Sequence, residues 1–194
     1  MGAMPLAQLS PLVTHAQFRR HIGALPVLYG LLESLQMRTI INRHCPTRAH
    51  VDHGTVALVL VLNRLMKPLP LYQVADWLGR TVLVHTLGIP ATKFNDDRLE
   101  RTLDAIQPHC GAIWQEVIDQ ALIQTETDLS TLFYDLTAFI VHGSYPGSRH
   151  IDFGFANNTP MRKRKFKVGL SVAGDGRVVV DYRLWSGRTT DMAT

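Results

Sequence analysis

Two cysteines in 194 residues, Cys45 and Cys110, are too few and too far apart for a disulfide framework. The chain also lacks an N-terminal apolar run set between a basic start and a small-residue cleavage site, so a reducing cytoplasm is the expected compartment. Long apolar stretches are missing. The longest, Val56 to Leu62, is far shorter than the roughly 20 residues that cross a bilayer, and Asn63 and Arg64 end it, so no membrane span is expected. There is no internal repeat, low-complexity tract or long linker, which excludes solenoids and disordered arrays.

Signatures of two common chemistries are also wanting. His44-Cys45, His50 and His53 offer one thiol and scattered imidazoles rather than the paired spacing of a structural zinc site, and His109-Cys110 is weaker still. Asp128 to Ser130 with Asp135 and His142 has no Gly-x-Ser-x-Gly elbow, so a serine hydrolase is set aside.

What is present is a chain 46% hydrophobic and 19% charged, long enough to bury the core of one domain or two. The formal charge of +4 is unevenly spread, because Arg162, Lys163, Arg164, Lys165 and Lys167 fall almost side by side. Such a run meets a phosphate backbone, or it shields a hydrophobic strand from aggregation; the residues alone leave both readings open.

From about Leu25 to Thr125 apolar residues recur at three- and four-residue spacing, as in Leu99, Leu103 and Ile106, or Ile113, Val117 and Ala121, which predicts helices. Asp52 suits the cap of a helix carrying Val56 to Leu65; Pro68 and Pro70 break it, and Asn95 or Asp96 suits the next cap after Pro90. The helices around Leu58 to Trp77 form either plain core or a helix-turn-helix that directs Gln73, Arg80, Arg64 or Lys67 toward DNA.

After Asp128 the period changes. Leu132 to Val141 is rich in β-branched and aromatic residues, and Phe166, Val168, Leu170 and Val172 alternate, as do Val178, Val180, Tyr182 and Leu184 beyond Gly174-Asp175-Gly176. The last two runs are expected to pair as an antiparallel hairpin. The fold class is therefore α+β, with a helical domain over 1–127 and a second domain over 128–194, the boundary lying near Gln124 to Asp128. That second domain reads as unfinished: a few strands with no covering layer leave an apolar face in water, and Thr189, Thr190 and Asp191 suit the start of a helix.

Asp135 lies inside the apolar run Leu132-Phe133-Tyr134-Asp135-Leu136-Thr137-Ala138-Phe139. A carboxylate there is compensated by a bound divalent cation, or it sits in solvent on an edge strand.

Tyr134-Asp135-Leu136-Thr137, Gly143-Ser144-Tyr145, Phe153-Gly154-Phe155, Val168-Gly169-Leu170, Asp175-Gly176, and Gly187 with Asp191 form an ordered series. It resembles one class of bacterial insertion-sequence transposases with a DDE catalytic triad. Upstream, Phe94-Asn95-Asp96-Asp97-Arg98-Leu99 and Leu103-Asp104 resemble the helical N-terminal domain of the same proteins. The resemblance implies an incomplete ribonuclease-H-like domain over 128–194, with Asp135 as first catalytic carboxylate and metal ligand in an Asp-x-Thr element. It also implies double-stranded DNA at element ends as partner, contacted by Arg162, Lys163, Arg164, Lys165 and Lys167, a homo-oligomer in the complete protein, and Mg2+ or Mn2+ as cofactor. Two positions depart from the pattern: Gly187-Arg188 stands where the family has Gly-Asn, and Arg164-Lys165 where it has Lys-Gln.

The family's later aspartate and glutamate have no counterpart before Thr194, and Asp191 resembles a loop position rather than the second carboxylate. Two-metal phosphoryl transfer needs ligands that clamp both ions, so this chain alone is expected to bind metal weakly or not at all and to cut no DNA. The function implied is DNA transposition by strand cleavage and transfer. A rival is a non-catalytic DNA-binding or dimerising remnant that inhibits intact transposase; a third reading is a ribonuclease-H-like nuclease.

Overall fold

In the computed structural model, residues 22–156, 159–174 and 178–189 are described. Asp175, Gly176, Thr190 and Asp191, named above, lie outside them. The chain divides into two compact units between Ile113 and Trp114.

The first unit is helical: α1 Leu25–Ser34, α2 Met37–His44, α3 His53–Met66, α4 Leu71–Gly79, α5 Leu83–Leu87, α6 Asp96–Ile106 and the start of α7 Cys110–Thr125. Its centre is α3, apolar on nearly all sides, which is how a helix surrounded by neighbours reads. Val56, Leu58, Val59 and Leu62 of α3 pack into one core with Val74 and Leu78 of α4, Leu83, Phe94 and Leu99. The caps fall where the sequence places them. Asp52 accepts a hydrogen bond from the Thr55 N–H at 2.7 Å, and Asn95 accepts from the Arg98 N–H at 2.9 Å. One apolar stripe is corrected: Leu103 is 45% exposed, and Thr102 takes the buried position instead, its hydroxyl 2.9 Å from His53 Nδ1. A polar pair that satisfies itself can occupy a core site that spacing alone would give to leucine.

The second unit holds the rest of α7 and, among the described residues, a three-stranded antiparallel sheet in the order β1-β2-β3, built from β1 Leu132–Ile140, β2 Lys165–Ala173 and β3 Val179–Ser186. The expected hairpin is β2-β3, with a register shift between Ser171 and Val172. Together the two units make an α+β chain. No single helix among the described residues is long and apolar enough to cross a membrane.

Register assigns the two sheet faces. Asp135 lies opposite Leu170, Thr137 opposite Val168 and Phe139 opposite Phe166, so these share one face with Tyr182 and Leu184. The other face carries Tyr134, Ala138 and Ile140 with Lys165, Lys167, Gly169 and Ala173. The alternation in β2 is as the sequence predicts, yet the buried side is the second face. Lys165, Lys167, Gly169 and Ala173 are buried, whereas Phe166, Val168, Leu170 and Val172 are only half-buried. On the first face Phe133, Phe139 and Leu184 are exposed, and Phe139 stacks on Phe166 at 5.3 Å between ring centres. Trp114 of α7 meets Tyr182 on this face edge-on at 5.0 Å.

Candidate nucleic-acid interface

Among the described residues strand β1 pairs on one side only, which leaves its outer edge open, and Asp135 sits exposed near its middle. Its carboxylate is exposed to solvent on this edge strand, where a cation could reach it. The five residue steps from Asp135 to Ile140 span roughly 17 Å at strand rise. The carboxylate and the Arg162, Lys163 and Arg164 cations at the end of the 141–164 loop are therefore separate features of the sheet unit. No group of three or more His, Cys, Asp or Glu side chains placed to hold a metal ion occurs among the described residues.

The basic run splits. Lys165 is 0% exposed and its ammonium donates to the Gly154 carbonyl at 2.8 Å, the Thr159 hydroxyl at 3.0 Å and the Pro160 carbonyl at 3.0 Å. Lys167 is 3% exposed and donates to the Thr189 carbonyl at 2.6 Å. An ammonium has three donors, and Lys165 places all three on oxygen, which is the condition for keeping a cation buried. Both lysines point to the face opposite Asp135 and hold loop backbone against the sheet.

Arg162 and Lys163 are exposed and Arg164 half-buried. With Val141, His142, Gly143 and Phe153 they line a concavity of about 240 Å³ at the end of β1. The Arg164 guanidinium lies 5.3 Å over the Phe153 ring and donates to the Ser144 carbonyl, which fixes the floor. Gly143 shapes the rim: its φ is +130°, and a Cβ there would lie 2.8 Å from the Tyr145 ring. Three cations and an imidazole around a shallow hollow suit a phosphate group. Sequence reasoning found Arg162, Lys163 and Arg164 but did not place His142 and Phe153 beside them, because it is strand pairing, Ile140 opposite Lys165 and the Val141 N–H on the Arg164 carbonyl at 2.9 Å, that brings the two ends of the loop together.

Gly154, Gly169 and Gly187 of the ordered series have steric reasons. A Cβ on Gly154 would strike the Gly187 carbonyl, and one on Gly187 would strike the Asp152 and Lys165 carbonyls. A Cβ on Gly169 would strike the Tyr134 hydroxyl, which crosses the sheet to accept from Trp185 Nε1 at 2.9 Å. Arg188, one of the departures from the family pattern, pairs with Asp152 at 2.7 Å.

The cysteine-histidine dipeptides sit in the helical unit. The His44 and His109 rings lie 6.0 Å apart, centre to centre, and Cys45 is buried with its thiol donating to the Ala105 carbonyl at 3.3 Å. Burial, and then the neighbouring Cys110, push the Cys45 thiol above its ordinary range, which keeps it protonated and inert near neutrality.

No curated protein and no solved structure matches the chain. The model of one family, described as a domain of unknown function, DUF4277, matches residues 18–119. That match takes in more than half of the sequence and all of α1 to α6, so the chain belongs to the DUF4277 family.

Proposed function

We propose that this chain is a DNA-binding portion of a DDE transposase, its helical domain followed by the opening strands of a ribonuclease-H-like domain. The observation that carries the reading is Asp135: an exposed carboxylate inside an apolar strand, with Thr137 on the same face, on the first strand of an antiparallel sheet that follows a helical domain. A solvated carboxylate on a rigid strand is available as a metal ligand. Asp135 would supply one ligand to the Mg2+ or Mn2+ of the complete protein, whose chemistry would be to activate water or a 3′ hydroxyl for attack on phosphorus. Arg162, Lys163, Arg164 and His142 take a phosphate of the DNA. Lys165 and Lys167 support that surface by holding the loop in place.

One carboxylate does not hold two ions, so the chain by itself binds DNA without cutting it. The hollow lined by Arg162, Lys163 and Arg164 favours, as second reading, a binding-only protein that competes with an intact transposase. Fluorescence anisotropy of the 194-residue chain with a labelled duplex tests the common core of both. Affinity is expected to fall steeply with salt, and the log-log slope to shrink by about 1 for each of Arg162, Lys163 and Arg164 changed to Ala. Binding that is absent, or insensitive to salt, would overturn the proposal.

A further inference from the structure

Helix α4 joins α3 through four residues, Lys67 to Pro70, and the two axes turn through 88°. The turn is rigidly held. Asn63, fully buried, accepts from the Leu69 N–H at 3.3 Å, its carbonyl accepts from the Lys67 N–H at 2.8 Å, and Arg64 donates to the Leu69 carbonyl at 3.0 Å. DNA-reading helix pairs cross at about 90–120° over turns of three or four residues, and the second helix carries the base-contacting side chains.

The nine residues of α4 separate cleanly by helical angle. Val74 and Leu78 are fully buried, with Leu71 and Trp77 packed against the same core. The remaining arc holds Tyr72, Gln73, Asp76 and, one residue past the helix, Arg80; Tyr72 is 68% exposed and Asp76 and Arg80 are exposed. Gln, Asp and Arg are the side chains that read adenine, cytosine and guanine edges in the major groove. Exposed Arg64 and Lys67 stand at the turn, so the cations of this surface outnumber Asp76. The partner this charge fits is an anion such as the phosphate backbone of DNA.

Resting on the DNA-binding reading above, we infer that α4 is a recognition helix that enters the DNA major groove and reads base pairs through Gln73, Asp76 and Arg80. This assigns sequence selection to the DUF4277 part of the chain and general phosphate affinity to the loop of the sheet unit.

The test is selection from a pool of random-sequence duplexes at fixed salt, with three proteins: the wild-type chain, Gln73→Ala/Arg80→Ala, and Arg162→Ala/Lys163→Ala. The wild type is expected to enrich a motif. The helix variant is expected to lose about 5- to 150-fold of preference at the base pairs it reads. The loop variant is expected to bind every sequence more weakly and keep the motif. If the helix variant enriches the wild-type motif, or the wild type binds duplex yet enriches none, the inference is overturned while DNA binding stands. If the wild type binds no duplex, the underlying reading falls and the inference with it. An unchanged circular-dichroism melt in the helix variant separates lost contacts from lost folding.

Discussion

At the head of α3 one carboxylate oxygen of Asp52 accepts both the Thr55 N–H and the Asn42 amide, and Asn42 in turn accepts the Gly54 N–H at 2.7 Å. Burial raises the Asp52 carboxyl, but the hydrogen bonds from Thr55 and Asn42, with the Arg38 charge, outweigh it and hold the group below the ordinary carboxylate range. The folded state therefore binds this proton less readily than the unfolded one. The stabilisation is complete above the ordinary value and is lost as pH falls through the lowered one. Asp52→Ala is expected to lose about 1–2 kcal/mol at pH 7, read by urea denaturation, with a smaller difference from wild type in acid. Next to it, burial and then the Arg98 charge lower the His53 imidazole below its ordinary 6.5. Its neutral form is the folded one, so stability begins to fall as pH drops below about 6.5 and continues to fall until the lowered value is passed. His53→Gln is expected to flatten that part of the melting-temperature profile; an unchanged slope between pH 7 and pH 5 would refute the assignment. The Asp52 cap was readable from residue type and position alone, whereas the second was narrowed only to Asn95 or Asp96, and Asn95 takes it. The His53-Thr102 pair was not readable, because nothing local marks a threonine that meets a histidine 49 positions away.

Among the elements, the sheet shows what alternation can and cannot tell. Period 2 in Phe166 to Val172 located β2 and its partner β3, but it could not say which face would be covered. The 141–164 loop settles that by laying Gly154, Thr159 and Pro160 over the lysine side. A run of five cations was legible as a group; its division into three at the hollow and two beneath the loop was not. Close backbone approach makes this loop sensitive to a single methyl. Gly154→Ala drives a Cβ into the Gly187 carbonyl and the Arg188 backbone, neither of which is a flexible side-chain end. The expected loss is about 2–3 kcal/mol, measured as a lowered thermal midpoint, with Lys165 losing protection at the same time.

Across the whole molecule the proposed division of labour separates stability from chemistry. Asp135 is exposed on an edge strand and contributes nothing visible to the fold, so Asp135→Asn is expected to shift stability by less than about 0.5 kcal/mol and to leave duplex affinity close to wild type. In an intact transposase the same substitution is expected to abolish strand transfer. A large loss of stability in the isolated chain would instead make Asp135 a structural residue. The α+β order of helices and then strands could be read from the change of period near Asp128. The open outer edge of β1 and the half-covered face beside it follow only once strand order is known, since no residue announces that it stands at a sheet margin.

The caged ammonium of Lys165 gives the loop a built-in reporter. To an amine-reactive reagent the segment from Arg162 to Lys167 presents one ready target, Lys163, while Lys165 and Lys167 are sealed beneath carbonyl oxygens. Brief acylation followed by peptide mass spectrometry is expected to mark Lys163 first, and the delay before Lys165 is marked measures how often the loop lifts from the sheet.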